Sequence, residues 1–205
     1  WGKQPIVNGP TYAGAIVIFL FVLGLFFVKS SIRIWILLAT ILSIMLAWGK
    51  NFMPLTEFFL DYFPGYNKFR AVSMILVIAE FTLPLLAFIA LHKFLFDKDK
   101  FIEKDSKVID IKSEKVSHKL VASKKLSAIK LSFYLTGGLT LLFALMPSVF
   151  FDFVGNQDSL LEEKGWPVDA LQSDRARLLS TDAWRSFIFI SLIFGALWVF
   201  IKNKL

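Results

Sequence analysis

"AVSMILVIAEFTLPLLAFIAL", residues 71–91, carries a single charged side chain, Glu80. A helix needs about 20 predominantly apolar residues to cross the roughly 30 Å hydrocarbon core of a bilayer. This run has that length and lacks the polar stripe of a helix lying on a soluble core. Working outward, apolar runs at about 12–28, 34–48, 131–151 and 182–201 repeat the pattern, separated by blocks of charge. The 205-residue chain is 56% hydrophobic with 23 phenylalanines, and its mean hydropathy is +0.63. The expectation is an all-α, polytopic transmembrane helix bundle of five spans, with short interfacial and outer-loop helices.

Local signals support these boundaries. Pro10 in "NGP" suits the first position of a helix, where its missing N–H is not needed. Span four holds Gly137-Gly138 and Pro147. Ser180 or Thr181 can cap span five, with Asp182 in the first turn beside the positive helix end. The organisation expected is a three-span segment at 1–93 with an interfacial helix near 52–63. A charged cytoplasmic linker at 94–130 follows, then a two-span segment at 131–205 with an outer soluble helix near 168–180.

A formal charge of +7 would suggest nucleic acid in a soluble chain, but its placement follows membrane topology, so no nucleic-acid partner is expected. The corner after span one holds Lys29 and Arg33, the 92–130 connection carries eleven lysines against six acids, and Lys202 and Lys204 end the chain. Five alternating helices put these on one side, the cytoplasmic one by the positive-inside rule. Loops 49–70 and 152–186 then lie outside the cytoplasm. Trp35 and Trp198 fall at the inner boundary, Trp48 and Trp184 at the outer, as an aromatic belt requires. The lysine-rich connection shows no single apolar face and reads as a solvated, partly disordered linker. Its lysines can gain about 1 kcal/mol each from anionic headgroups.

There is no cysteine, so disulfides and thiolate metal sites are excluded. His92 and His118 stand apart among lysines without ligand neighbours, and no metal site is assigned. The chain begins at Trp1 without a charged n-region, shows no signal peptide and reads as a piece of something larger.

The loop "PLTEFFLDYFPGYNKFR" before span three starts as a short amphipathic helix. Glu57 and Asp61 lie on one face and Leu55, Phe59 and Phe63 on another, until Pro64-Gly65 ends it. Tyr66, Asn67, Lys68 and Arg70 follow. The two cations read either as snorkelling side chains or, with the helix N-terminus behind them, as a phosphate site for a lipid headgroup. Glu80, in the middle of the third span, must be neutral, paired or facing a polar cavity. Its role is then functional or a structural hydrogen bond to another span. Pro84 permits a kink beside it. In the last outer loop, Val168, Leu171, Leu178 and Leu179 recur at helical spacing. Asp174 with Arg177, and Asp182 with Arg185, form i,i+3 pairs.

"GPTYAGA", "WGKNF" followed by "LTEFFLDYFPGYNKFRAVSM", and "SDRARLLSTDAWRSFIF" together resemble the bacterial YfhO-like membrane protein family, across nearly all the chain outside the lysine-rich linker. Full-length members are several times longer, so the chain looks like a central slice of one. The resemblance implies a GT-C-type glycosyltransferase in the bacterial cytoplasmic membrane. Such an enzyme moves a sugar from a polyprenyl-phosphate carrier to a cell-envelope glycan or polymer on the outer face. The catalytic carboxylate of such enzymes sits in a first outer loop absent here, so no catalytic residue is carried over. The segment from Gly65 to Arg70 is the candidate contact for the carrier phosphate. Glu57 and Asp61 could supply a base or hold a divalent metal, or simply face water. A lipid or envelope-polymer transporter, suggested by Glu80, Pro84, Pro147 and Gly137-Gly138, and a non-catalytic assembly subunit docking through its outer loops are the competing readings.

Overall fold

The computed structural model describes residues 12–28, 31–68, 72–96, 111–155 and 158–204. Among these the secondary structure is helical throughout, with no strand: α1 (Ala15–Phe27), α2 (Ser31–Ala47), α3 (Met53–Tyr62), α4 (Leu76–Phe96), α5 (Ile111–Leu145), α6 (Pro147–Phe150), α7 (Asp158–Glu163) and α8 (Val168–Lys204). Three helices, Leu76–Phe96, Ala122–Leu145 within α5 and Val168–Asn203 within α8, are long and apolar enough to cross a membrane. The chain has the helices of a multi-pass membrane protein.

The other two expected spans are shorter. At 1.5 Å per residue, α1 and α2 rise about 20 and 25 Å, short of a roughly 30 Å hydrocarbon core. Their shared corner shows why. Val28 turns to extended backbone and donates its N–H to the Gly24 carbonyl at 2.9 Å. Arg33 Nη1 then donates to the Leu25 carbonyl at 2.8 Å, satisfying an oxygen that the helix end leaves without a donor.

Helix α1 sits centrally. One side packs with α4, α5 and α8 through Phe19, Leu23, Phe94, Ile129, Ile190 and Leu197. The other side meets α2 and α4 through Phe21, Val28, Ile36 and Leu86. In lipid, tails solvate an exposed leucine as well as a helix does, so close packing and interhelical hydrogen bonds hold such a bundle together. Gly24 provides the closest approach: a Cβ there would lie 2.8 Å from Leu86 Cγ and 3.2 Å from the Leu86 carbonyl oxygen. Between α2 and α4, the Thr40 and Thr82 hydroxyls share a 2.7 Å hydrogen bond. One turn along, Ser43 donates to the Ile75 carbonyl at 2.6 Å.

The helix ends sort into two groups. Rings of Phe27, Phe94 and Phe200 meet at one end, with centroids 5.8 and 6.4 Å apart, and Lys125 Nζ donates to the Phe94 carbonyl there. At the other end Ser43 meets Ile75, and Ser180 Oγ donates to the Ala144 carbonyl at 2.7 Å. Helices α1, α4 and α8 therefore run one way and α2 and α5 the other, with Arg33, Lys93, Lys125 and Lys202 at the Phe94 end.

Three boundaries differ from expectation for physical reasons. Residues 111–130, read as part of a linker, are the first half of α5: they contain no Gly or Pro to interrupt a helix, and six of the twenty are Lys, which favours helix. Ile129, within that stretch, is completely buried. The outer helix and span five are one continuous α8, because no Pro or Gly interrupts it before Gly195. Thr181 accordingly donates to the Arg177 carbonyl one turn back instead of capping a helix start. Span three starts at Leu76 after a 3-10 turn. Glu80 is thus the fifth residue of α4, near the start of that helix.

Candidate lipid-facing site

The loop between α2 and α4 is built on local hydrogen bonds. Gly49, at φ +49°, turns the chain out of α2 in a left-handed conformation that a Cβ would disfavour. Pro54 occupies the start of α3. The buried Thr56 hydroxyl faces the carbonyls of Gly49 at 3.1 Å and Phe52 at 3.3 Å, tying α3 back to the turn before it. At the other end Phe63 N–H bonds to the Phe59 carbonyl. Gly65, at φ +89°, reverses the chain into a 3-10 turn, Tyr66–Lys68.

Aromatic rings form the surface of this ledge. Phe59 is the hub, with Phe58, Phe63 and Tyr66 centroids 5.7, 5.4 and 5.6 Å away. Phe58 and Tyr62 stack at 5.2 Å and are 55% and 75% exposed. Around the helix, Thr56 and Phe59 face the bundle while Phe58 and Tyr62 form one outer flank. Glu57 and Asp61 form the next flank, about 100° away at 3.6 residues per turn, and both are exposed. An exposed aromatic edge beside a charged edge is the composition of a helix lying in a membrane interface.

Tyr66 is half-buried against Phe59, and Lys68 is exposed at the end of the turn. Asn67 lies in the same turn, its side chain outside the described residues, as is Arg70 altogether. Glu80 is not part of this cluster; it stands exposed on α4. Among the described residues no group of three His, Asp or Glu side chains could hold a metal ion.

The segment between α6 and α8 holds an arrangement the sequence did not reveal. Arg175 grips Asp158 through two hydrogen bonds, Nη1 to Oδ2 and Nη2 to Oδ1, each 2.7 Å. The same Nη1 donates to the Phe153 carbonyl at 2.7 Å, and Gly155 N–H donates to Asp158 Oδ2 at 2.7 Å. The Arg175 guanidinium, then the Gly155 N–H, hold the Asp158 carboxyl down at about 2 from an ordinary 3.8. The expected pairs, Asp174 with Arg177 and Asp182 with Arg185, form no ion pair among the described residues. Arg185 instead lies over the Phe189 ring, 5.9 Å from its centroid. The one available sequence signal was Asp158 three residues after Gly155 at the start of α7, where a carboxylate suits free N–H groups. Arg175, 17 residues on, could not be read from it. Compared with known proteins, the chain matches no family model, no curated protein and no solved structure.

Proposed function

We propose that the chain is part of a bacterial membrane glycosyltransferase whose outer ledge receives the phosphate of a lipid-linked sugar donor. The single observation that carries this reading is the juxtaposition on the ledge. Exposed Phe58 and Tyr62 on α3 offer apolar surface at headgroup depth, and Lys68 stands exposed at the end of the turn that follows. A polyprenyl phosphate has both features, an apolar chain and an anion at the interface. Arg70, two residues beyond Lys68 in the sequence, supplies a second cation.

In this reading all five apolar helices lie across the cytoplasmic membrane, α1 and α2 by thinning or by neighbouring helices around them. The Phe94 end, with its lysines, faces the cytoplasm. Positive charge at the ledge stabilises the departing phosphate as the sugar moves to an envelope glycan acceptor. The resemblance of the 48–74 block to YfhO-like proteins supports the same assignment.

The test uses purified protein in nanodiscs with polyprenyl phosphate, read by native mass spectrometry, and the sugar-charged carrier in a transfer assay. Lys68→Ala and Arg70→Ala should each weaken carrier binding about tenfold, the scale of losing one charge-assisted hydrogen bond. Unchanged affinity in both variants removes the phosphate site. Carrier binding without any sugar transfer removes the enzyme.

A further inference from the structure

Two charges, Glu80 and Arg185, stand exposed beside apolar helix stripes without an ion-pair partner among the described residues. Glu80 lies beside the exposed α4 stripe of Val77, Phe81 and Phe88, of which Phe81 and Phe88 are 67% and 71% exposed. Arg185 lies in the exposed α8 stripe of Ile188, Leu192 and Val199, with its guanidinium over the Phe189 ring. A single charge on a face otherwise suited to lipid is costly unless it is paired, neutralised or able to reach water.

The two charges also stand at the same depth. Helices α4 and α8 run in the same direction, and their Phe94 and Phe200 rings touch at the basic end. Glu80 precedes Phe94 by fourteen residues and Arg185 precedes Phe200 by fifteen. At 1.5 Å per residue both lie about 21–23 Å above that contact. Within one copy they face outward from different helices and form no ion pair. Between copies sharing one orientation in the membrane, depth and sign match.

We infer that the Glu80 face of α4 on one copy docks against the Arg185 face of α8 on a second copy, side by side in the membrane. The contact is head-to-tail: each copy offers one face to each neighbour, so the assembly is a ring if the rotation closes and a row if it does not. The Glu80 carboxylate accepts from the Arg185 guanidinium, with Val77 and Phe81 beside Glu80 and Ile188 and Leu192 beyond Arg185 on its C-terminal side. This inference does not depend on the sugar-transfer reading and stands or falls separately.

Because the chain has no cysteine, Glu80→Cys and Arg185→Cys introduce single reactive sites. The two variants, carrying different tags, are co-expressed and treated in native membranes with a short, membrane-permeant bis-maleimide. A direct disulfide is avoided, since it needs Cα atoms about 5.5–6 Å apart. The expected product is the mixed Glu80→Cys/Arg185→Cys dimer, several-fold above either variant alone. Mixed product at the level of the single-variant controls overturns the proposal. So does cross-linking of either variant mainly to another membrane protein, which would make that protein the occupant. Charge reversal gives a second readout independent of thiol reactivity. Glu80→Arg and Arg185→Glu should each lower the oligomer fraction in native mass spectra, and the double swap should restore it. Loss in both single variants without restoration overturns the ion pair.

Discussion

Arg175 meets Asp158 as a two-pronged fork, both bonds 2.7 Å, and its guanidinium also holds the Phe153 carbonyl. One side chain in the N-terminal part of α8 thereby fixes the loop that leaves α6 and enters α7. The planar guanidinium can satisfy the carboxylate and a carbonyl at once; an ammonium cannot reproduce that fork. Arg175→Lys is therefore expected to loosen the 152–163 loop nearly as much as Arg175→Ala. Amide hydrogen exchange across residues 153–163 should accelerate about tenfold or more in either variant, with α1 and α4 unchanged. Equal exchange in wild type and Arg175→Ala would show that the loop is held by something else.

The same pair sets a pH dependence with a definite sign. The Asp158 carboxyl is held at about 2 when the loop is closed, against an ordinary 3.8. An opened loop takes up its proton first as pH falls, so acid favours opening. The contribution of the pair is complete above pH 3.8 and is lost as pH falls through about 2. Exchange in the 153–163 segment, corrected for intrinsic rates, should therefore rise across that window and stay flat between pH 5 and 8. Asp158→Asn, with no carboxyl to titrate, should show the fast rate without the step.

Gly24 and Leu86 make a separate prediction about the bundle. A Cβ at position 24 would sit 2.8 Å from Leu86 Cγ and 3.2 Å from the Leu86 carbonyl oxygen. The side chain can move but the α4 backbone cannot easily follow. Gly24→Val should destabilise the detergent-solubilised protein by about 1–3 kcal/mol, the usual cost of overpacking. Leu86→Ala opens a cavity on its own, yet combined with Gly24→Val it should recover part of the loss. A double-mutant cycle by thermal unfolding reads the coupling. Strict additivity would mean that α1 and α4 do not touch here.

What was legible in the sequence follows from the kind of information each feature carries. The 71–91 run announced a membrane helix because apolar length is local and additive. It misplaced the ends by about five residues, since "HKFLF" (92–96) continues the helix with Lys93 near its end. Helix α3 was readable because the acid spacing and the Pro64-Gly65 stop act within about ten residues of each other. Dense charge suggests a coil at 111–130 and a Ser-Thr pair suggests a cap at 180–181, yet α5 and α8 run through both because no Gly or Pro interrupts them there. Nothing local encodes Thr40 with Thr82, Ser180 with Ala144, or Asp158 with Arg175, separated by 42, 36 and 17 residues. The first two exist only once the helices are antiparallel neighbours, the third only once the loop around 153–158 folds against α8.

The ledge itself yields the prediction on which the lipid-phosphate site rests. On α3, Phe58 and Tyr62 form one exposed flank while Glu57 and Asp61 form another. If the helix lies in the interface, the first flank dips toward acyl chains and the second meets water. Phe58→Cys, Tyr62→Cys, Glu57→Cys and Asp61→Cys each give a single nitroxide site in this cysteine-free chain. In liposomes, labels at 58 and 62 should collide more with oxygen, which partitions into lipid, than with a water-soluble nickel complex. Labels at 57 and 61 should show the reverse. The difference should vanish in detergent-free fragments that no longer associate with lipid. If all four positions favour the nickel complex, α3 stands in water, and Lys68 has no lipid phosphate at its level to hold.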